Sequence, residues 1–283
     1  MGAVLIDGKQ VAASLREALI REVAEVTAQG IVPKLAVVLV GDDPASVVYA
    51  RSKEKAAAKV GIAYELHHLP GTTAEADVLA LVAQLNQDKT VHGILVELPL
   101  PKGMDKQRVM AAVDPLKDVD GMHPANRGAL LSDAPALVAA TPLSCIALLD
   151  HAGVDLNGKR VVLVGRGETV GKPLFFLLLK RNATVTVCHT RTRDMAAEVR
   201  RGEIVIAAAG KAGLITKDMV APGAIVIDAG INETPEGGIT GDVAPDVAEA
   251  AGMLSPVPGG VGSCTTVLLF HNVLRGLKMQ HGL

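Results

Sequence analysis

Tyr49 and Lys53 stand four residues apart in a stretch, 45–60, that reads as a helix, so their side chains share one face. A ring and an ammonium so placed could lie against a flat heterocycle and act on a proton beside it. As an isolated pair they would read more plainly, as a half-buried core tyrosine and a solvated helix charge. The strings around them change that balance. Glu97 closes an apolar run, 93–96, and is followed by Leu98-Pro99-Leu100-Pro101. Proline cannot donate to a strand ladder, so the strand must end there in an irregular segment. Asp120 lies in Lys117-Asp118-Val119-Asp120-Gly121, ahead of His123-Pro124 and Asn126, and Pro256-Val257-Pro258-Gly259-Gly260-Val261-Gly262 comes late in the chain. Leu98-Pro99 and Val257-Pro258 are candidates for cis peptides.

A second chemistry-bearing segment follows the apolar run 160–164. It reads Gly165-Arg166-Gly167-Glu168-Thr169-Val170-Gly171, a GxGxxxG spacing one residue longer than the usual dinucleotide fingerprint. Its place between a strand and a helix gives it weight. Gly165 and Gly167 permit a tight turn and close approach to a pyrophosphate, Gly171 permits close helix–strand packing, and the helix start offers free N–H groups to an anion. The plainer reading is an ordinary strand-to-helix turn. An NAD site usually carries Asp or Glu at the end of the next strand. Here the residues are Cys188-His189-Thr190-Arg191-Thr192-Arg193, with no acid before Asp194, and Arg166 adds a cation. A guanidinium suits a phosphate monoester, so NADP is expected over NAD. The candidate cofactor set is Thr141, Gly165, Arg166, Gly167, Thr169, Val170 and Gly171. His189, Thr190 and Arg191 join it, as do Ala208, Ala209 and Gly210, and Gly230 with Ile231.

These groups need a frame, and the alternation of apolar runs with helical stretches supplies one. Strands are expected at 35–40, 63–68, 93–96, 160–164, 184–188, 204–208 and 224–227. Helices are expected at 10–29, 45–60, 74–87 with a Thr73 cap, 141–151 opening on Thr141-Pro142, 170–181 and 264–279. Such alternation predicts an α/β fold with a mostly parallel sheet. The expected division is 1–140 plus 264–283 for the first domain and 141–263 for a Rossmann-type second domain. Hydrophobic residues make up 49% of the 283, enough for a core, while aromatics are 2% with no Trp, so a stacking surface for single-stranded nucleic acid is absent. A formal net charge of -2 provides no field to attract nucleic acid or anionic lipid. No apolar run approaches the roughly 20 residues of a membrane helix, and Asp7 interrupts the start before a signal-type segment forms. Cys145, Cys188 and Cys264 are too far apart for a zinc or redox pair, which fits a reduced, cytoplasmic setting. The histidines show no metal-ligand spacing, and no metal is expected.

Taken together, Gly41-Asp42-Asp43-Pro44-Ala45-Ser46, Tyr49, Lys53-Glu54-Lys55-Ala56, the segment 93–101, Lys117–Gly121 with His123, Pro124 and Asn126, and the segment 256–262 resemble the methylenetetrahydrofolate dehydrogenase/methenyltetrahydrofolate cyclohydrolase family, of the bacterial bifunctional type. The resemblance runs from Ile6-Asp7-Gly8-Lys9 to the last helix. It implies a folate-binding domain and an NADP-binding domain with a cleft between them, a homodimer, and two linked reactions on a tetrahydrofolate derivative. The one-carbon unit would be oxidised with NADP and the resulting cation hydrolysed. By the same resemblance Tyr49 stacks on the folate, Lys53 positions and activates water, and Asp120 holds the polar pterin edge. Leu98, Pro99, Pro258, Gly259 and Gly260 join the substrate set, and Lys53, Glu97 and Asp120 form the catalytic set.

The chain departs from the family pattern at three places. Glu97 stands where the family usually has Gln. A carboxylate there favours the ammonium form of Lys53 and weakens it as a base, so hydride transfer is expected to survive with hydrolysis impaired. The other reading is that Glu97 itself takes the proton from water. Ser263-Cys264 replaces Pro-Met, and Gly167 replaces Ser. Two rival readings stay open: another two-domain NADP dehydrogenase acting on a small hydroxy or amino acid, and a non-catalytic NADP-sensing module.

Overall fold

The computed structural model describes residues 2–283 and divides into two compact units. One comprises Leu15–Ala139 and Thr266–Leu283; the other comprises Ala140–Thr265 and the segment ending at Ser14.

The first unit is built on a three-stranded parallel sheet in the order β3-β2-β4, with β2 Lys34–Val40 between β3 Ala63–Leu69 and β4 Gly93–Val96. From Leu35 to Val40 strand β2 is an unbroken, buried apolar run because both of its faces are covered, as parallel sheets require. The covering helices include α1 Gly8–Ala28, whose first residues lie in the other unit, α2 Pro44–Val60 and α3 Glu75–Gln87. Ala36, Val38 and Val40 pack against Val78, Val82 and Leu85 of α3. Asp43 starts α2: its carboxylate accepts from Ser46 N at 2.9 Å and Ser46 Oγ at 2.7 Å, and Pro44 takes the first turn. Helix α3 begins one residue later than the sequence predicts. Ala74 is the flanking residue and makes no side-chain cap. Thr73 therefore does not cap; its N–H closes a turn onto Pro70 O instead. The short helices α4 Lys106–Ala112 and α5 Pro124–Leu131 follow.

The second unit opens on α6 Ala140–His151, so Thr141 lies inside the first turn rather than at its cap. Its six-stranded sheet has the order β1-β11-β8-β7-β5-β6, all parallel. The central strands are β5 Arg160–Val164, β6 Thr184–Cys188, β7 Ile204–Ala207 and β8 Ile225–Asp228, with α7 Gly171–Lys180 after β5 and α8 Met195–Arg200 after β6. A small antiparallel pair, β9 Asn232–Glu233 and β10 Ile239–Thr240, follows β8. The far edge is made by β11 Met253–Leu254 and β1 Val4–Leu5. This pairing differs from the division expected from sequence. Val4 and Leu5 pair with Met253 and Leu254, which places the first residues with the nucleotide-type unit. Two-residue strands carry no readable period, so the pairing left no local trace. The chain ends in α9 Thr265–His281, nearly all of which belongs to the first unit.

Candidate active site

In the first unit, Lys53 reaches from the middle of α2 to the end of β4, where its Nζ lies 2.7 Å from Glu97 Oε1. Glu97 is almost wholly buried, yet its N–H still donates to Val38 O in the sheet at 2.9 Å. Its carboxylate is therefore fixed by the backbone as well as by the ion pair. The next bond, Leu98-Pro99, is cis, as is Val257-Pro258 in the other unit. Leu98 packs against the core while Pro99 is exposed. Tyr49, one turn before Lys53, is 61% exposed and so is no core residue. Tyr64 lies nearby on β3, its hydroxyl donating to Ala50 O at 2.9 Å. Burial pushes its phenol up, and Glu97 and Glu54 push it further.

Asp120 is half-buried, and burial raises its carboxyl to about 7. Asp118 and Glu97 add to that rise, while Lys53 and Lys106 oppose it. Asp120 thus shares the electrostatic environment of the Lys53–Glu97 pair. The residues around it are structural. Asp118 accepts from Met122 N, His123 N and Asn126 Nδ2 at 3.1, 2.8 and 2.9 Å. Lys117 Nζ donates to the carbonyls of Leu85, Asn86 and Asp88 at the end of α3, satisfying acceptors that the helix leaves open. Burial lowers the Lys117 ammonium from its ordinary value. Ile94 N donates to Lys117 O, which lays this segment alongside β4. Asn272 of α9 donates to Val119 O at 2.8 Å and Val138 O at 2.7 Å. It anchors the residue next to Asp120, and no sequence spacing could reveal a contact 153 residues away.

In the second unit a cavity of about 490 Å³ opens at the carboxyl ends of β5, β6 and β7. The chain crosses from β6 on one side of β5 to β7 on the other, the switch point where such sheets bind ligands. Gly165, Arg166, Gly167, His189, Thr190, Ala208 and Ala209 line it. So do Thr192, Met195, Lys211 and Leu214, which sequence reasoning missed; Thr192 and Lys211 directly adjoin residues already in the candidate set. Gly165 has φ +123°, and a Cβ there would sit 2.0 Å from Ala208 O. A Cβ on Gly171 would sit 2.4 Å from Gly165 O, whereas one on Gly167 would meet nothing within 4 Å. No side chain caps α7 at Val170. Lys172 N donates to Gly167 O at 2.9 Å and Pro173 has no N–H, so the helix start leaves the Gly171 N–H for an anion, fewer groups than the sequence suggests. Room for a pyrophosphate, an uncapped helix start and nearby cations together fit a phosphorylated dinucleotide.

The remaining candidates sit around this cavity or apart from it. Thr169 and Arg191 are exposed and Thr141 is half-buried. Gly210 belongs to the turn after β7, its N–H donating to Asp242 at 2.9 Å. Gly230 is buried, while Ile231 is 63% exposed. Pro258, Gly259 and Gly260 are carried by this second unit, in the loop after β11. Cys264 is fully buried, its Sγ is 3.4 Å from Gly8 O, and burial pushes the thiol up to about 11. That is an inert thiol, not a nucleophile. Among the described residues no His, Cys, Asp and Glu cluster could hold a metal ion, and no helix is long and apolar enough to cross a membrane.

Comparison with known proteins converges on one group. The family model described as tetrahydrofolate dehydrogenase/cyclohydrolase, catalytic domain, matches residues 6–120, and its NAD(P)-binding domain matches residues 139–281. A protein of Heliobacterium modesticaldum, named bifunctional protein FolD, is 68% identical over 100% of this chain and 99% of its own length. The crystal structure of the bifunctional enzyme FolD, a methylenetetrahydrofolate dehydrogenase/cyclohydrolase, from Campylobacter jejuni is 40% identical, with a TM-score of 0.96, and the match covers 98% of this chain and 99% of that one. A Trypanosoma brucei methylenetetrahydrofolate dehydrogenase-cyclohydrolase, solved with NADP cofactor and inhibitor, is 37% identical with a TM-score of 0.93 over 100% of both chains.

Proposed function

The chain belongs to the tetrahydrofolate dehydrogenase/cyclohydrolase family, and on that premise we propose that it converts 5,10-methylenetetrahydrofolate to the 5,10-methenyl cation with NADP and hydrolyses that cation to 10-formyltetrahydrofolate. The observation that carries the reading is the Lys53–Glu97 pair at 2.7 Å, beside exposed Tyr49 and half-buried Asp120, on the unit that matches the catalytic-domain model. Neither a small-acid dehydrogenase nor a cofactor sensor needs that set. A dehydrogenase-only enzyme is not favoured, because a relative 68% identical along its length is named bifunctional.

Bound NADP supplies the hydride acceptor for the oxidation. The backbone of Gly165–Gly167 and the start of α7 would hold its pyrophosphate, and Arg166 with the turn at His189–Arg191 would take its 2′-phosphate. On the folate side, the Tyr49 ring offers a stacking face and the Asp120 carboxylate accepts from the N–H-rich pterin edge. Hydrolysis of the cation needs a water and a place for its proton. A lysine held by a carboxylate is a donor rather than a base, so Glu97 is the acceptor and Lys53 orients a water beside the pair. The new C–O bond forms as one water proton passes to Glu97. The ring C–N bond then breaks and the second proton ends on N5, leaving the formyl group on N10. In this reading Glu97 serves the second step instead of impairing it.

The test is turnover. Methylenetetrahydrofolate with NADP should give reduced cofactor at a kcat/KM at least about tenfold above that with NAD, a margin of ~1.4 kcal/mol in transition-state binding. Folded protein that reduces neither cofactor overturns the assignment. We further read the chain as a cytoplasmic homodimer. The free cysteines suit a reducing compartment. Strand β6 is an edge of its sheet, with half-buried Val185 and Val187, while α7 carries half-buried Phe175 and Phe176 and a 44% exposed Leu179. An unpaired strand edge beside apolar side chains suits pairing with a second copy. Sedimentation at micromolar concentration should give twice the chain mass, and a monomer there would contradict it.

A further inference from the structure

Three consecutive backbone N–H groups at the end of β7 point at one buried side chain. Ala209 N and Gly210 N donate to Asp242 Oδ2 at 2.6 and 2.9 Å, and Lys211 N donates to Oδ1 at 2.8 Å. Successive amides converging in this way form an anion nest, and here an internal carboxylate fills it. Asn232 Nδ2 donates to Oδ1 as well, at 2.9 Å. Asp242 is 0% exposed. Its own N–H donates to Asp228 Oδ1, Val243 N donates to Asp228 Oδ2, and Asp228 N in turn donates to Ser255 Oγ. No lysine or arginine faces either carboxylate in these contacts. Every bond runs from a neutral N–H donor, and the carboxylates clamp loops rather than pair charges. The clamp is also closed sterically: a Cβ on Gly241 would lie 1.8 Å from Asp228 Oδ2, and one on Gly230 would lie 2.3 Å from Asp242 Oδ1.

Ala208, Ala209 and Lys211 form the wall of the nucleotide cavity on the β7 side, opposite His189 and Thr190 at the end of β6. The 2′-phosphate half of the dinucleotide goes to the β6 side, which leaves the β7 wall to the nicotinamide half. We propose that Asp242 is a positioning residue for the nicotinamide half of NADP, holding the Ala209–Lys211 turn from beneath so that its N–H groups face inward and its other edge lines the cavity. The inference rests on the nucleotide site proposed above. It also explains why the candidate positions Gly210 and Gly230 matter although neither lines the cavity: Gly210 is part of the clamped turn, and Gly230 leaves room for the carboxylate that clamps it.

Asp242→Asn tests this, because an amide offers one acceptor oxygen where the carboxylate offers two, and its NH₂ faces N–H groups that have lost their acceptor. Binding to the cofactor-free protein, measured by calorimetry, avoids any dependence on turnover. Asp242→Asn should weaken NADP at least about tenfold, while 2′,5′-ADP, which lacks the nicotinamide half, stays within about twofold. A residue that merely stabilised the unit would weaken both probes alike, and equal loss, or no loss, overturns the proposal. Asn232→Ala guards against a variant that fails to fold: it keeps the carboxylate and removes one of its four donors, and should weaken NADP by about threefold with 2′,5′-ADP again unchanged. Wild-type protein that binds neither probe would instead overturn the nucleotide-site reading itself.

Discussion

The two sites proposed for this chain are made of different material. The nucleotide site is mostly backbone: a loop with φ +123° at Gly165, an uncapped helix start, and a turn whose amides are tied to a buried carboxylate. The folate site is made of ionisable side chains: Lys53 pairs with Glu97 at 2.7 Å, and both act on the carboxyl of Asp120. A backbone site answers chiefly to steric change, and a side-chain site answers to charge and pH.

The largest expected effect is at the folate site. Lys53→Met removes the ammonium and leaves Glu97 buried without its partner, and hydrolysis of added methenyltetrahydrofolate should fall by about 10³-fold. A fall of less than about tenfold would move the chemistry elsewhere. The matching steric prediction concerns two glycines in one loop. Gly165→Ala forces a Cβ to 2.0 Å from Ala208 O, and should lower the melting temperature by at least about 5 °C, roughly 2 kcal/mol in a unit of this size, with loss of NADP binding. A Cβ on Gly167 meets no protein atom within 4 Å, so Gly167→Ala should leave the melting temperature within about 2 °C, near the noise of a surface change. Equal behaviour of the two variants would break the claim that the loop is read through its backbone.

Smaller effects separate the cations. Arg166 lines the cavity and Arg191 does not. Arg166→Ala should raise KM for NADP about tenfold, the cost of one charge-assisted contact, without raising that for NAD. Arg191→Ala should change it by less than about threefold. The reverse order would put the 2′-phosphate on the β6 turn alone.

The smallest effect concerns Asp120, whose carboxyl is raised from 3.8 to about 7. The folded chain binds that proton more tightly than the unfolded chain does. Stability therefore falls as pH rises from about 4 to 7 and levels off above. Asp120→Asn should melt at the same temperature as wild type near pH 4 and about 3 °C higher at pH 8, some 1 kcal/mol once partial exposure is discounted. KM for the folate should improve in wild type as pH rises through 7, when the acceptor carboxylate forms, and should be flat in the variant.

The same contrast governs how much the sequence told. Strands 93–96 and 160–164 are found at their expected bounds because apolar runs closed by a turn or an irregular segment are local signals, and 184–188, where threonine alternates with valine, is found at its expected bounds too. Glu97 and Lys53 were each legible by type, and their meeting 44 residues apart was suggested by family resemblance alone. Helices α4, α5 and α8 escaped notice, since six to eight residues hold too few turns to show a period. Asn272, Asp242 and the β1–β11 pairing were invisible for another reason. Each works by touching backbone far away in the chain, and nothing in the local spacing of residues encodes such a contact.

The most direct measurement follows reduced cofactor and the methenyl intermediate together after methylenetetrahydrofolate and NADP are mixed with wild-type protein and with Glu97→Leu, which removes the carboxylate without supplying the amide usual in the family. If Glu97 accepts the proton from water, wild type forms NADPH with little methenyl product accumulating. The variant should then form NADPH within about threefold of the same rate while methenyl product builds up and decays at least about tenfold more slowly, within the range of general-base effects. Methenyl product that accumulates in wild type and clears faster in the variant would show the carboxylate to be the impediment, and would contradict the account.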